Sequence, residues 1–595
     1  MDIRRQFQAA IAAINHGKTE EGRALLEEIH RIRPDDADAA MALGRLALGE
    51  RDFARALALY EPLVGRPGLG AQPETMVVHV LSLAGKHEEA VARSRAFLRS
   101  HPHDATLVAM VAAALASSHR FDEAEDLLRR RYEIQARADI AAPLSSALLN
   151  LGRCDEAVAL LKDALERFPG DVGCLAALAS ATNYLSSSRE ETYRRHMALG
   201  RLVEYALPVI DPLSYENSPD PERPLRVAVV SFDLRAHSVA YFAEAILRHH
   251  DRSRMSITVF STTAQEDHVS DRLRPLASAW RTHLSGEPRL LARDIWSTKP
   301  DVVVELGGLS GGSALAALVP QVAPVQVTAI GYPSTTGFRT VQYRMVDSIT
   351  DPPGDADKFS AEELVRLDPC FLCFTPRIVP EPRRSPAGAG GPVFGSFNKI
   401  TKYSDACVRA WASVLQRVPG ARLLLKSPPL DIASAREHLS ARLARAGAPP
   451  DRVELVGRQE GEGDHLSMYE RIDIALDSFP YNGTTTTCEA LLMGVPVVVL
   501  EGTTHAGRVG ASLLSAAGFP ELIAKTTGAY VEKALDLASG VEKLRQERAG
   551  RSRKMLSSVL CDGPAYATRW GESIRTLWRR WCERKRAQAS PSARR

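Results

Sequence analysis

Apolar and polar positions repeat with a long period through the N-terminal third of the chain. Five segments follow one pattern: GKTEEGRALL, RDFARALALY, GKHEEAVARS, HRFDEAEDLL and GRCDEAVALL. Each places a small residue at the same position of an amphipathic helix, and these residues are Gly22, Ala56, Ala90, Ala124 and Ala157. Successive positions lie about 34 residues apart. Five matches in phase favour a structural repeat over a helical bundle with accidental spacing.

The repeat predicts a stack of helical hairpins. A period of about 34 residues is typical of tetratricopeptide repeats, in which each unit is a pair of antiparallel helices. A proline closes the second helix of every unit except the fourth, because proline has no amide hydrogen to donate. These prolines are Pro34, Pro67, Pro102 and Pro169. We expect residues 1–205 to form an all-α tetratricopeptide superhelix with a protein-binding groove, ending in a helix from about Glu190 to Tyr205.

Beyond the repeats, short Val, Ile and Leu runs alternate with helical stretches. RVAVVSF, SITVFS, DVVVEL and VQVTAIG form a first set, and PVFGSF, ARLLLKS, RVELVG, IDIALDSF and VPVVVL form a second. Runs without in-out alternation are typical of strands buried on both faces of a parallel sheet. We therefore predict two doubly wound α/β domains, at residues 224–375 and 392–562, preceded by Pro-rich linkers at 206–223 and 376–391.

Two such domains place a ligand crevice between the carboxyl ends of their sheets. This architecture fits a GT-B glycosyltransferase, but a periplasmic-type binding protein or an epimerase would share it, so the residues of the site must decide between these classes.

The last predicted segment, 563–595, is a helix and a tail. The helix carries Ile574, Trp578 and Trp581 on one stripe, which we expect to pack on the first α/β domain and not on a membrane. We expect the tail AQASPSARR to be disordered.

Composition narrows the class of protein. The 595 residues are 45% hydrophobic and 25% charged, as in soluble globular proteins. A net charge of +3 gives no general field for binding nucleic acid. No apolar run reaches the length of a membrane helix, and the start MDIRRQFQAA lacks the apolar core of a signal peptide, so we expect a cytoplasmic protein. The eight scattered Cys predict ordinary thiols and no metal site, and the many Arg and Ala residues favour a bacterial source with GC-rich coding.

The segment IDIALDSFPYNGTTTTCEALLMG contains the clearest candidate site. A strand ends, a turn holds Asn482 and Gly483, and a helix begins at four threonines, Thr484, Thr485, Thr486 and Thr487. Free amides, hydroxyls and the positive end of the helix dipole converge on an anion at such a helix start. An ordinary N-cap needs only one threonine. We therefore predict a phosphate site here.

Two other segments add cations and a histidine. Lys399 and Lys402 lie in SFNKITK, on a turn between a strand and a helix. A lysine there can neutralise the charge that builds on a sugar-nucleotide phosphate, and a solvated loop lysine is the alternative. His237 follows the first strand of the first α/β domain, in a loop that faces the crevice. It could contact the sugar or act as a base, and a structural histidine is the alternative.

At this point the motifs resemble those of a known family, in the same order along nearly the whole chain. QVAPVQVTAIGYPSTTGF with Asp347 downstream, SFNKITK, IDIALDSFPYNGTTTT and THAGRVGASLLSAAGFPELIAK are similar to motifs of the tetratricopeptide-containing O-linked N-acetylglucosamine transferases, glycosyltransferase family 41. The resemblance implies a GT-B fold and an inverting, metal-free transfer from a nucleotide-sugar donor to Ser or Thr of a protein. It implies no cofactor.

The resemblance also implies a role for individual residues. Lys402 corresponds to the diphosphate-binding lysine, and Thr485 with Thr486 to the donor-binding threonine pair. The remaining matches are His237 with the active-site histidine, His465 with the histidine beside the nucleotide base, and Glu489 with the ribose-binding carboxylate, where the family has Asp.

Three positions depart from the family pattern and bear on the donor. Lys399 replaces a glutamine, Thr484 a histidine, and Glu462 a lysine. A carboxylate in place of an ammonium reverses a local charge, which argues against unchanged donor recognition. We therefore expect a protein O-glycosyltransferase that modifies bacterial flagellin from a CMP-linked nonulosonic acid of pseudaminic or legionaminic type. UDP-GlcNAc-dependent modification of other proteins is one alternative. A non-catalytic tetratricopeptide scaffold with a decayed GT-B half is another.

Overall fold

The structure of the protein is a computed structural model, which describes residues 3–16, 18–206, 215–283, 287–310, 314–381 and 391–589. The chain forms two compact units. The first runs to Ala147 and includes Thr263–Gln265 from later in the chain, and the second begins at Leu148. The helical hairpins that follow Leu148 therefore belong to the same unit as the α/β part.

Antiparallel helices make up the N-terminal part. They are α1 Ile3–Asn15, α2 Thr19–Ile32, α3 Ala37–Gly49, α4 Phe53–Tyr60, α5 Gln72–Leu83, α6 His87–Ser100, α7 Ala105–Ser117, α8 Phe121–Ile134, α9 Ala138–Asn150, α10 Cys154–Arg167, α11 Val172–Ala181 and α12 Arg189–Ala206. In the first unit α1 packs on α2, α3 on α4, α5 on α6 and α7 on α8. The predicted hairpins and the predicted last helix are both present.

The small residue of each repeat is buried where two helices meet. At Gly22 a Cβ atom would lie 2.5 Å from Ile14 Cγ1 and 2.7 Å from the carbonyl oxygen of Ala10, so the contact between α1 and α2 has no room for a side chain. The equivalent alanines of the other repeats are no more than 1% exposed. Helix α2 ends two residues before Pro34, whereas α8, whose repeat lacks the proline, ends at Ile134.

The α/β part alternates strands and helices. The strands are β1 Leu225–Ser231, β2 Met255–Ser261, β3 Ala279–Thr282, β4 Val302–Glu305, β5 Val325–Thr328, β6 Tyr343–Val346, β7 Glu363–Arg366, β8 Val393–Ser396, β9 Arg422–Lys426, β10 Val453–Val456, β11 Ile474–Leu476, β12 Val497–Leu500 and β13 Ile523–Ala524. The helices are α13 Ser238–His249, α14 His268–Leu273, α15 Pro288–Ser297, α16 Leu315–Leu318, α17 Asp405–Arg417, α18 Ala433–Arg445, α19 Glu462–Ser467, α20 Thr485–Leu492, α21 Val509–Ala517, α22 Thr527–Ser539, α23 Val541–Gln546, α24 Arg548–Leu556 and α25 Gly563–Ala589.

Two sheets result, each with a buried parallel centre. The first has the order β3-β2-β1-β4-β5-β6-β7, and the second β10-β9-β8-β11-β12-β13. Val229 of β1 pairs in parallel with Val259 of β2 and Val304 of β4, and all three are buried. Every strand predicted from an apolar run is present. Strands β3, β6, β7 and β13 were not predicted, because they are short and lack a Val, Ile or Leu run.

Helix α25 crosses back to the first α/β domain, as the stripe predicts. Ile574 and Trp578 are fully buried in the core of the first sheet, and Trp581 is partly buried against it. The Trp578 indole nitrogen donates to the carbonyl of Asp220 at 2.9 Å. The helix extends to Ala589, past the start of the predicted tail. Residues 590–595, and the linker residues 207–214 and 382–390, lie outside the described residues. In the described parts of the chain, no helix combines the length and apolar character that a membrane span requires.

Candidate active site

The predicted phosphate turn connects β11 to α20 and is organised around Asp477. Its Oδ1 accepts hydrogen bonds from the amides of Ser478 and Gly483, at 2.9 and 2.7 Å, and from Asn398 Nδ2 at 2.9 Å. A Cβ atom on Gly483 would lie 2.5 Å from Thr486 Oγ1 and 2.9 Å from Asp477 Oδ1. Only glycine fits this position, which explains the Asn-Gly pair before the threonines.

The threonines at the start of α20 leave polar atoms without partners. Thr485 Oγ1 and Thr487 Oγ1 are buried and have no hydrogen-bond partner among the described residues, and the same holds for Asp477 Oδ2. Thr486 Oγ1 instead donates to Asn398 Oδ1 at 2.7 Å, and Thr484 lies at the N-cap, half-buried. A buried hydroxyl without a partner costs stability, so these atoms indicate a site for a ligand. All four threonines of the predicted phosphate site lie at this helix start.

Lys402 reaches the same turn from the other segment. Its Nζ donates to the carbonyl oxygen of Asn482 at 2.8 Å and lies 3.9 Å from the centre of the Tyr481 ring. Burial lowers the pKa of Lys402. The Asn482 side chain is completely buried, and donates to Ser478 O at 3.0 Å while its Oδ1 accepts from the Gly510 amide at 3.3 Å. Asn482 therefore holds the turn with its side chain and meets Lys402 with its backbone.

His465 and Glu489 form a second cluster beside the turn. His465 Nε2 lies 2.8 Å from Glu489 Oε2, which also accepts from the Tyr469 hydroxyl at 3.2 Å. Lys426 Nζ contacts His465 Nδ1. An ammonium can only donate, so Nδ1 is the acceptor and the proton on Nε2 is donated to Glu489. Burial lowers the pKa of Lys426 to about 8, against the opposing effect of Glu489.

Lys426 was missed in the sequence. It is buried at the carboxyl end of β9, 39 residues before His465. The signal available was one lysine at the end of the apolar run ARLLLKS, in a chain that uses few lysines.

His237 is the N-cap residue of α13, on the first α/β domain. Its Nδ1 accepts from the Val239 amide at 3.4 Å, and its carbonyl accepts from Arg377 at 3.3 Å. Burial lowers the pKa of His237 to about 3, and the charges of Arg235, Lys399 and Arg377 add to this effect. The imidazole is therefore neutral near pH 7, and its Nδ1 also lies 3.4 Å from Asp233 Oδ1. Lys399 is exposed, and its charge acts on both His237 and Lys402.

Comparison with known proteins decides the family. Residues 187–374 and 386–570 match the family model Glycosyl transferase family 41, and residues 7–68 match a tetratricopeptide repeat model. The chain belongs to glycosyl transferase family 41. Together with the helical hairpins and the two parallel sheets, this confirms the predicted fold class, a tetratricopeptide domain followed by a GT-B fold.

Relatives of this family 41 chain include solved and curated proteins. The solved structure of a mutant O-GlcNAc transferase from Thermobaculum terrenum is 30% identical, with a TM-score of 0.78, and covers 85% of this chain and 97% of that one. The probable UDP-N-acetylglucosamine peptide N-acetylglucosaminyltransferase SPINDLY of Solanum lycopersicum is 40% identical over 414 residues, 68% of this chain and 44% of the relative. The SPINDLY of Arabidopsis thaliana is 39% identical over 62% of this chain and 41% of the relative. The chain thus spans less than half the length of these curated relatives.

Glu462, a departure from the family 41 pattern, is compensated in the structure. Its Oε1 accepts from the Tyr241 hydroxyl at 2.5 Å, and its Oε2 lies 3.8 Å from Arg377 Nη1. The Arg377 guanidinium lies 3.8 Å from the centre of the Tyr241 ring. The carboxylate is thus paired with a cation of the segment that follows the first α/β domain. This pairing neutralises the local charge that the substitution introduces, and it weakens the main argument for an altered donor.

A second group of contacts connects the two α/β domains of the family 41 fold. Asp351, on the first, pairs with His505 on the second and accepts from Arg189 of α12 at 2.7 Å. Ser512 Oγ donates to Asp347 Oδ2 at 2.5 Å. The THAGRVGAS motif therefore fixes the two domains to each other, beside the turn that connects β11 to α20.

Proposed function

We propose that this chain is a protein O-glycosyltransferase that moves a sugar from a nucleotide-sugar donor to Ser or Thr hydroxyls of a protein. The observation that carries the proposal is the hydrogen bond of Lys402 to the turn that leads into α20, where the hydroxyls of Thr485 and Thr487 have no partner among the described residues, in a chain of family 41. A helix start with a lysine beside it is suited to a diphosphate.

The site's residues divide the work of transfer between them. The acceptor oxygen bonds to the anomeric carbon from one face as the bond to the donor phosphate breaks on the other. That bond's electron pair goes to the phosphate, and the proton of the acceptor hydroxyl passes through water to the departing phosphate. Lys402 and the α20 amides stabilise this charge. Losing one such preorganised group typically costs about 3 kcal/mol, roughly 100-fold in rate. Glu489 and His465, which contact each other beside the turn, are proposed to hold the nucleoside.

His237 is better suited to donating a hydrogen bond than to accepting a proton. A general base works best with a pKa near the working pH, and the pKa of His237 is about 3. Its neutral ring can instead orient the sugar or the acceptor through a hydrogen bond. The helical repeats, residues 1–205, are proposed to bind the acceptor protein.

The donor and the acceptor are the finer part of the proposal. The names of the relatives favour UDP-GlcNAc, and the pairing of Glu462 with Arg377 agrees with an ordinary donor. One observation still supports a nonulosonic acid donor. The ammonium of Lys399 is exposed and could pair with the carboxylate of such a sugar. The names of these relatives mention neither flagellin nor a nonulosonic acid. Metal-free chemistry remains a prediction.

One experiment tests the proposal. The chain is incubated with candidate acceptors, flagellin among them, and one donor at a time from a panel of UDP-, GDP- and CMP-linked sugars, and intact masses are measured. We expect a mass increase of one sugar per site from one donor, unchanged by EDTA and absent in Lys402→Ala. A mass increase only with a CMP-linked nonulosonic acid would establish that donor instead. Partner binding without transfer from any donor would establish the scaffold alternative.

A further inference from the structure

The ammonium of Lys402 rests on an aromatic ring. Its Nζ lies 3.9 Å from the centre of the Tyr481 ring and makes one hydrogen bond, to Asn482 O. In the described parts of the chain no carboxylate oxygen lies within 4.0 Å of it. Asp477 acts from farther away and raises the pKa of Lys402, whereas burial and the charge of Lys399 lower it. A ring face attracts a cation through its quadrupole, so Tyr481 compensates this charge together with the Asn482 carbonyl.

Tyr481 is itself held by a residue of the helical segment. The ring of Tyr184 stacks on it, with centres 5.2 Å apart and planes inclined by 28°. Tyr184 ends a single helical turn, Thr182–Tyr184, that follows α11. This turn is fixed on the first α/β domain, because Asn183 Nδ2 donates to the Tyr332 hydroxyl at 3.2 Å. The stack therefore connects the last helical hairpin to the donor lysine.

We infer that Tyr481, backed by Tyr184, is a positioning residue that keeps the Lys402 ammonium charged and directed at the start of α20. The contact with Lys402 is made by the face of the Tyr481 ring, and the inferred role does not involve the Tyr481 hydroxyl. The identity of the ligand rests on the proposed function, but the contact between ring and ammonium does not. The inference makes the end of the repeat domain a structural part of the donor site.

The titration of Lys402 tests the contact directly. In the full chain with 13C at the lysine Cε atoms, the midpoint of Lys402 is followed by NMR and assigned by its loss in Lys402→Arg. Tyr481→Leu removes the ring face and is expected to lower the midpoint. Tyr481→Phe keeps the face and serves as the matched control, with no shift expected. Tyr184→Leu is expected to lower the midpoint by a smaller amount. Its side chain borders a cavity of about 460 Å³, so this second variant can fold even if Tyr481→Leu does not.

Pyrophosphate binding tests the consequence. The ammonium is charged below its pKa, so affinity for inorganic pyrophosphate should fall as pH rises through that value. In Tyr481→Leu the fall should move to lower pH, with affinity about five-fold weaker near neutral pH, whereas Tyr481→Phe should match the unchanged chain. The inference would be overturned if Tyr481→Leu left both the pyrophosphate affinity and the Lys402 midpoint unchanged. It would also be overturned if Tyr481→Phe and Tyr481→Leu lost equal affinity. Absence of pyrophosphate binding in the unchanged chain would count against the proposed function, and the midpoints would still decide the inference.

Discussion

Lys402 is the residue whose removal should affect transfer most. Its ammonium meets a backbone carbonyl and a ring face and joins no ion pair of the described core. Lys402→Ala is therefore expected to slow single-turnover transfer by about 100-fold or more while changing the melting temperature little. Lys543→Ala is the control, because the Lys543 side chain lies in α23 of the same domain and is 78% exposed. Equal losses in the two variants would contradict a special role for Lys402.

The titration of His237 should not affect the pH dependence of the transfer rate near pH 7. With a pKa of about 3 the imidazole stays neutral from about pH 5 to pH 9. We expect His237→Ala to lower the rate about ten-fold, the value of one lost hydrogen bond, with the same pH profile over this range. Rates measured at constant ionic strength check this. If the rate of the unchanged chain rose between pH 6 and 7, and this rise disappeared in His237→Ala, His237 would instead be identified as a base.

Some site residues could be predicted from the sequence and others could not. The threonines and Lys402 could be found because each lies in a short segment with a local physical reason, a helix start or a rare cation. Lys426 offered only the weak signal of a lysine after an apolar run, and Tyr481 offered none. Their roles depend on partners far away in sequence, His465 for the first and Tyr184 for the second. The compensation of Glu462 by Arg377 is hidden for the same reason.

Helix α12 and the loop after β5 approach each other as closely as backbone allows. A Cβ atom on Gly200 would lie 1.9 Å from the carbonyl oxygen of Gly337, in the GYPSTTGF segment. Gly200→Ala must push the helix away and is expected to destabilise the fold by about 1–3 kcal/mol. Thermal unfolding measures this.

Gly550 provides the matched control for that substitution. It lies inside α24 with no atom within 4 Å of a built Cβ. Gly550→Ala should be neutral or stabilise by up to about 1 kcal/mol, through helix propensity alone. Destabilisation of similar size in both variants would refute the close-contact explanation. The sequence predicted α12 itself, but not that its glycine meets a loop glycine.

For the whole molecule, the compact second unit begins at Leu148, inside the predicted repeat domain. The carbonyl of Leu149 accepts from Thr401 Oγ1 at 2.8 Å, next to Lys402. We expect a chain of residues 148–595 to keep its melting temperature and its affinity for pyrophosphate. A chain of 206–595 should melt several degrees lower and bind more weakly, because it lacks Tyr184 and α12. Equal behaviour of the two chains in calorimetry would show that the last hairpins contribute nothing to the site.

The path of α25 has a consequence for how the protein is made. The core of the first sheet includes Tyr566, Trp570 and Ile574, which follow strand β7 by about two hundred residues of intervening chain. During synthesis this core stays open while the whole second α/β domain emerges and folds. The first domain is therefore the last to close, and its exposed apolar sheet is the stage at which a chaperone would be needed.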